Sequence, residues 1–278
     1  MEMKVERQVI EHYGLGDLSE RILAALDESG VDPERATPEE LAPIDEFHIG
    51  GRPATIHFAS MLSLPAGGRV LDVGCGIGGA ARYFAEHFDC HVTGIDLTPE
   101  YIDIARTLSE RTQTQHRVAF ETASALDMPF ESGSFDAAYT IHVAMNIEDR
   151  AGLYREVARV LRPGAVFGSY DVMRGDAEGL AYPLPWAATE ESNHLTSPDE
   201  MRTLVGEAGF EVMEFSDRRA FGIEFFQRVR ARIAEGGLPP LGVHILMGEA
   251  FRDKMANVAD GLEKGCVLPA VMIARKTG

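Results

Sequence analysis

Two acidic residues, Asp72 and Asp96, stand on either side of a glycine-rich segment, Gly74-Cys75-Gly76-Ile77-Gly78-Gly79. Asp72 lies within a short apolar run that ends at Val73, and Asp96 closes a second apolar run. Glycines allow a sharp backbone turn and let a ligand approach closely, because they have no Cβ. A carboxylate at the end of the second run can accept hydrogen bonds from both hydroxyls of a ribose. The pattern therefore predicts a site for a nucleoside-containing cofactor.

Two classes of cofactor fit this outline, and Asp72 distinguishes them. The run Gly74-x-Gly76-x-x-Gly79 formally matches the fingerprint of dinucleotide-binding proteins. An acid in the preceding strand would repel the pyrophosphate of a dinucleotide, whereas it would attract a cation. S-adenosylmethionine carries a sulfonium and an ammonium group, so we expect it as the cofactor. An NAD-dependent oxidoreductase and a cofactor-binding protein without catalysis are the alternatives.

The composition excludes several classes of partner. The 278 residues include 44 acidic and 26 basic ones, giving a formal net charge of −18, so we expect neither nucleic acid nor membrane as a partner. No apolar run approaches the roughly 18 residues of a membrane span, and the charged N-terminus lacks a signal-peptide core. Three cysteines without metal-binding spacing predict reduced thiols, no metal site and a cytoplasmic location. The oligomeric state is not predicted.

Strands and helices alternate from Arg69 onward. The patterns predict strands at 69–73, 91–96, 117–122, 134–140 and 165–172, with helices at 78–88, 98–111 and 150–160. Such alternation predicts a doubly wound α/β core whose parallel sheet is covered by helices on both faces. Ligands of these sheets bind beyond the carboxyl ends of the strands, where the glycine segment, Asp96, Ser124 and His142 fall.

The remaining segments are predicted to form a lid. Residues 1–64 are assigned to an N-terminal helical lid with a break at Gly14–Gly16, and residues 65–220 to the cofactor-binding core, with a lid loop at 175–197. Residues 221–266 form a helical insert interrupted at 236–240, and residues 267–278 the last strand. Because helices have no place within the sheet, we expect them to cover the substrate.

Four pieces of the chain occur in a characteristic order: VLDVGCGIGG, GIDLT, DMPFESGSFDAAYT and REVARVLRPGAVF. Together they resemble the class I S-adenosylmethionine-dependent methyltransferases. This resemblance implies a Rossmann-like, seven-stranded, mostly parallel sheet with an antiparallel last strand. The segment FHIGGRPAT is similar to the small-molecule branch that includes sarcosine/dimethylglycine and phosphoethanolamine N-methyltransferases. It implies methyl transfer to a small-molecule acceptor, with nitrogen slightly favoured over oxygen.

The resemblance implies roles for residues that would bind the cofactor. The methionine part of the cofactor would contact the backbone of Gly74, Gly76 and Gly78, and its ammonium group would lie near Asp72. In the adenosine part, both ribose hydroxyls would bind Asp96 and the adenine face would pack against Leu97. The Ala125 amide would donate to an adenine ring nitrogen. Relatives often have an aspartate where this chain has Ser124, whose neutral hydroxyl is a weaker acceptor for the adenine amino group.

Three residues are predicted to act on the substrate: His142, Asn146 and Tyr13. In phosphoethanolamine-type relatives an acid and a histidine occupy the positions of His142 and Asn146, so this pair is not a copy. A histidine suits a general base for an amine or hydroxyl, and the alternative is that His142 only contacts the methionine part of the cofactor. Asn146 either orients the substrate or caps the following helix. Tyr13 matches a lid tyrosine of those relatives or simply packs on the core.

Other side chains carry weaker signals. Trp186 with Tyr182 either walls a pocket for a cationic substrate or belongs to the core of the lid. Arg52 and Arg174 either bind a substrate carboxylate or form surface ion pairs. His48 and the other scattered histidines receive no role.

Overall fold

The core of the molecule is a seven-stranded sheet in a computed structural model that describes residues 2–14, 16–32 and 35–278. Strands β1 to β7 are Gly68–Val73, Cys90–Asp96, Val118–Thr122, Phe135–Ile141, Leu161–Arg174, Phe210–Asp217 and Val267–Lys276. Their order is β3-β2-β1-β4-β5-β7-β6, and β7 runs antiparallel to its neighbours β5 and β6. The predicted Rossmann-like sheet with one antiparallel last strand is confirmed.

Eleven α-helices are found in the described ranges. Named α1 to α11 in chain order, they are Glu2–Tyr13, Leu18–Glu28, Pro38–Asp45, Gly51–Met61, Gly79–His87, Pro99–Arg111, Arg150–Val160, Pro198–Glu207, Arg219–Gly236, His244–Met247 and Phe251–Lys264. The predicted break between the first two helices is confirmed, although Leu15 within it lies outside the described residues. None of the described helices is long and apolar enough to cross a lipid bilayer.

Both faces of the sheet are covered, which explains the continuous apolar runs in its central strands. Helices α7 and α8 pack on one face, where Leu153, Val157 and Met201 are buried. Helices α4, α5 and α6 pack on the other face, with Phe58 and Phe84 in its core. A parallel strand pair needs a crossover connection, and α5, α6 and α7 supply it for the pairs β1–β2, β2–β3 and β4–β5. The rigid sheet thus presents the carboxyl ends of β1 to β4 along one edge.

Two boundaries differ from the sequence predictions. Strand β5 begins at Leu161, four residues before the predicted start at 165, and its register against β4 shifts between Phe135 and Ala137. Pro163 has no backbone N–H to donate to the ladder, and Gly164 has a φ of +78°, so the strand deforms without ending. In the helical insert, Gly248 (φ +68°) adds an interruption between α10 and α11 that the sequence did not reveal.

Candidate functional site

A cavity of about 1210 Å³ lies beyond the carboxyl ends of β1, β2, β3 and β4. All but one of the predicted cofactor-binding residues line it. These are Asp72, Gly74, Gly76, Asp96, Leu97, Ser124, Ala125 and His142. The predicted substrate residues Tyr13 and Asn146 also line it. The fold therefore brings residues of the predicted N-terminal lid and of the core together at one cavity.

The exception is Gly78, which does not line the cavity. Its φ is +83°, and a Cβ built there would lie 2.7 Å from the Phe120 ring and 2.9 Å from the Arg82 guanidinium. Gly78 is therefore needed to begin α5 in a left-handed conformation. The predicted contact of its backbone with the methionine part of the cofactor stays a prediction. Gly74 and Gly76 both line the cavity, and a Cβ built on Gly76 would meet no atom within 4 Å.

Asp96 fixes the glycine turn and keeps capacity for a ligand. Its Oδ2 accepts from the Gly76 amide and its Oδ1 from the Thr98 amide, both at 2.9 Å. Burial raises the pKa of Asp96, and these backbone hydrogen bonds oppose that shift. Because a carboxylate oxygen has two lone pairs, each oxygen can still accept from a ligand hydroxyl. The arrangement fits a ribose with two neighbouring hydroxyl groups.

Asp72 is buried at the end of β1, with only 2% of its surface exposed. The Tyr139 hydroxyl donates to its Oδ2 at 3.0 Å. Burial raises the pKa of Asp72 to about 8, and the negative charges of Asp96 and Glu46 add to this shift. A cation beside the carboxyl would favour its ionised form. Asp72 is thus poised to ionise when a positively charged group enters the cavity.

Asp72→Asn is expected to make the protein more stable than the wild type at alkaline pH. Since the folded-state pKa lies above the ordinary value of 3.8, the folded state retains a proton that the unfolded chain releases. In the wild type, Asp72 therefore contributes to the free energy of unfolding at acid pH, and this contribution is lost as the pH rises toward about 8. Asparagine does not titrate, and its Oδ1 can still accept from Tyr139.

The measurement is the free energy of unfolding in denaturant at pH 5, 6.5 and 8. We expect the difference between variant and wild type to grow by about 1 kcal/mol or more across this range, since one pKa unit corresponds to about 1.4 kcal/mol. Asp89→Asn, a surface substitution at a side chain 72% exposed, is the control and should show no such trend. A difference that stays constant with pH would refute the raised pKa of Asp72.

His142 follows β4 in an unusual backbone conformation, with a φ of +54°. Its amide donates to the Tyr170 carbonyl at 2.7 Å, which holds this turn against β5. Within the described part of the chain, no group hydrogen-bonds its buried Nε2 atom. Burial holds the pKa of His142 well below its ordinary value, and His48 lowers it further. The ring is therefore neutral, and its Nε2 is buried without a protein partner, while other parts of the residue line the cavity.

Tyr13 and Asn146 contact each other across the cavity. The Tyr13 hydroxyl donates to Asn146 Oδ1 at 3.1 Å, and Asn146 Nδ2 donates to the Val143 carbonyl at 3.2 Å. Burial raises the pKa of Tyr13, so the phenol stays protonated. The alternative role of Asn146 as a helix cap is wrong, because Asp149 caps α7 by accepting from the Gly152 amide. Tyr13 also packs against Phe47, as the second alternative predicted, and its contact with a substrate stays a prediction.

Sequence reasoning missed a polar cluster around Glu46. Its Oε2 accepts from Thr55 Oγ1 at 2.6 Å and contacts His48 Nε2 at 2.7 Å, while Arg52 Nε lies 2.8 Å from its Oε1. Burial would raise the pKa of Glu46, but His48, Arg52 and Thr55 lower it overall. The His48 and His142 rings are 5.7 Å apart, centroid to centroid. The many polar residues of the segment DEFHIGGR are a sequence signal for such a cluster. The segment has no regular pattern, however, so the sequence does not predict its position in the fold.

The two candidate arginines have protein partners. Arg52 contacts Glu46 and donates to the Pro38 carbonyl at 2.9 Å, so its charge is already balanced inside the cavity. Arg174 forms an ion pair with Glu200 at 2.7 Å on the surface, outside the cavity. Neither observation favours the predicted role in binding a substrate carboxylate.

The side of the cavity facing the predicted lid is mostly apolar. Its lining includes Trp186, Phe225, Phe226, Val229, Met247, Phe251, Met255 and Val258. Trp186 Nε1 donates to Asn193 Oδ1 at 2.9 Å, and the Asn193 amide donates to the Tyr182 hydroxyl at 2.8 Å. Tyr182 does not line the cavity, so the predicted Trp186–Tyr182 wall is reduced to Trp186.

The central part of the chain, residues 71–168, matches a family model described as a methyltransferase domain. The chain is also 35% identical over 191 residues to the O-methyltransferase rstn1 of Aspergillus nomiae, an alignment that covers 68% of this chain and 80% of that protein. The family match extends from β1 into β5.

Two solved structures share the fold. The phosphoethanolamine N-methyltransferase 2 of Haemonchus contortus, determined with phosphomonomethylethanolamine and S-adenosylhomocysteine, is 18% identical with a TM-score of 0.73. The superposition covers 92% of this chain and 57% of that one, so this chain spans little more than half its length. The [4+2]-cyclase SpnF is 22% identical, with a TM-score of 0.69 over 96% of this chain and 97% of its own. At these identities the likeness shows a common fold.

Proposed function

Because the chain belongs to the class I S-adenosylmethionine-dependent methyltransferases, we propose that it methylates a small-molecule acceptor bound in the cavity beside S-adenosylmethionine. The cofactor follows from the family, and the NAD alternative is set aside. The observation that carries the proposal is the single chamber of about 1210 Å³, which joins a glycine turn and two carboxylates to an apolar wall. Small-ligand sites of several hundred Å³ are typical, so a cofactor and an acceptor fit together.

The fit of the cofactor rests on this chain's own groups. Asp96 has free lone pairs for the ribose hydroxyls, Gly76 leaves open space for close approach, and Asp72 offers a carboxyl to the ammonium group. When bound, S-adenosylmethionine supplies an electrophilic methyl group on a sulfonium. The protein must therefore align the acceptor, exclude water and receive a proton, and alignment alone is worth about 7–11 kcal/mol.

His142 is the group best suited to receive the proton of the acceptor. Its neutral ring has an unpartnered Nε2, the form that accepts a hydrogen bond from an O–H or N–H. Tyr13 and Asn146, joined by their hydrogen bond, can fix the acceptor. The slight preference for nitrogen over oxygen stays a prediction, since one relative is named an O-methyltransferase and a structural neighbour an N-methyltransferase.

The lining of the cavity favours an acceptor that is largely apolar and uncharged or cationic. Of the described residues that line it, eight are acidic and three are arginines. Arg52 is balanced by Glu46, and Arg228 and Arg232 on α9 are exposed to solvent. An anionic acceptor would therefore lack an enclosed cation, whereas the side chains of α9 and α11 offer an apolar surface. We propose that these helices form the lid over the acceptor.

A screen of acceptors, read as S-adenosylhomocysteine released, tests this function. We expect turnover with hydrophobic phenols or amines, and little or none with sarcosine or phosphoethanolamine. Efficient methylation of phosphoethanolamine would contradict the proposed acceptor class. Binding of S-adenosylhomocysteine without methylation of any acceptor would instead favour a cofactor-binding protein without methyl transfer.

Met255→Gln probes the wall directly. Replacing the thioether by an amide of similar size should raise KM for an apolar acceptor about threefold to tenfold, because apolar contact area is lost. The affinity for S-adenosylhomocysteine should not change. Met213→Gln is the matched control, since Met213 lies on β6, is 53% exposed and does not line the cavity. Equal KM values for the two variants would show that Met255 does not contact the acceptor.

A further inference from the structure

The strand order indicates where the adenine of the cofactor lies. Asp96 ends β2, the glycine turn follows β1 on one side of it, and β3 lies on the other side. If the ribose binds Asp96 and the amino-acid part lies along Gly74 and Gly76, the base must extend toward the end of β3. The cavity lining there consists of residues 123–126.

The polar side chain at that end, Ser124, is already engaged. Its hydroxyl donates to Glu6 Oε1 at 2.5 Å and accepts from the Leu126 amide at 3.1 Å. A hydroxyl has one proton and two lone pairs, so Ser124 retains little capacity for a ligand. Glu6, by contrast, is an acceptor-only carboxylate with about four lone-pair positions, and the bond from Ser124 uses one of them. Glu6 also lines the cavity.

Helix α1 brings Glu6 to this place. Glu6, Val9 and Tyr13 all line the cavity, and their spacing of three and seven residues puts them on one helix face. Seven residues span about 10 Å along a helix. One helix therefore reaches from the base end of the cavity, at Ser124, to Asn146 at the acceptor end.

We propose that Glu6 accepts a hydrogen bond from the exocyclic amino group of adenine, held in place by Ser124. The inference rests on the proposed function, because it requires the adenosyl cofactor. The N-terminal helix then supplies the carboxylate that position 124 lacks. A carboxylate accepts from an amino group and is repelled by a carbonyl oxygen, so Glu6 would distinguish adenine from hypoxanthine.

The test compares binding of S-adenosylhomocysteine and S-inosylhomocysteine by calorimetry. The inosyl compound has a carbonyl oxygen in place of the amino group. Wild-type protein should prefer the adenosyl compound roughly tenfold or more, the effect expected of a hydrogen bond to a charged group. Glu6→Gln, which offers an amide donor to the carbonyl, should reduce this preference at least fivefold, and Glu6→Ala should reduce it as well.

Glu11→Gln is the matched control. Glu11 lies on the same helix, its side chain is 63% exposed and it does not line the cavity, so the wild-type preference should persist. If Glu6→Gln binds S-adenosylhomocysteine with the wild-type preference, the role of Glu6 is wrong and the proposed function stands. If the wild type binds neither compound, both the proposed function and the role of Glu6 fail. Melting temperatures confirm that each variant is folded.

Discussion

Replacing His142 by alanine is expected to lower kcat about 100-fold or more, the usual contribution of a positioned general base. The variant removes the buried, unpartnered Nε2 while leaving the backbone hydrogen bond to Tyr170 available. Histidine occurs at positive φ more often than alanine, so the melting temperature of the variant is measured to confirm that it is folded. The affinity for S-adenosylhomocysteine should change little. Single-turnover rates and calorimetry separate the two effects.

His116→Ala is the control for this prediction, because His116 is exposed and lies outside the cavity. A kcat near the wild-type value for His142→Ala would show that His142 lines the cavity without acting as a general base. An equal loss of cofactor affinity and of kcat would favour the alternative interpretation, in which His142 contacts the methionine part of the cofactor. The pH profile adds a second readout, since a neutral His142 predicts no loss of activity from its protonation near pH 6.5.

Asp96→Ala is expected to weaken binding of S-adenosylhomocysteine by about 1.5–3 kcal/mol, the range for a hydrogen bond to a charged group. Two effects act together. The ribose hydroxyls lose their acceptor, and the Gly76 and Thr98 amides lose the oxygens that fix the glycine turn. Calorimetric titration measures the loss directly.

Asp103→Ala serves as the control for Asp96→Ala. Asp103 lies on α6 with a side chain 77% exposed, so its removal should leave cofactor affinity unchanged. Titration of a ligand without the ribose, such as S-methylmethionine, distinguishes the two effects. If Asp96→Ala weakens binding of the adenosyl ligand only, the carboxylate binds the ribose. If the adenosyl ligand binds the variant as tightly as the wild type, the ribose assignment is wrong.

Local signals sufficed for the core because its elements are encoded in short stretches of sequence. The apolar runs that became β1 and β2, the glycines between them and the capping residues of the helices act within a few residues of one another. The same locality limits what the sequence indicates about Gly78. Its glycine type indicated backbone freedom, but whether that freedom serves a ligand or a helix start depends on Phe120 and Arg82, which lie elsewhere in the chain.

By itself, the sequence determined the α/β core, the antiparallel last strand, the pair of carboxylates at the glycine turn and the class of cofactor. Only the tertiary structure decided which core residues the side chains N-terminal to β1 contact at the cavity: Glu6 at Ser124, Tyr13 at Asn146, and the Glu46–His48 cluster beside His142. The physical reason is that strand and turn formation depends on near neighbours, whereas these contacts join segments as many as 133 residues apart. Their geometry is set by how the helices pack over the sheet, and side-chain periodicity does not encode that packing.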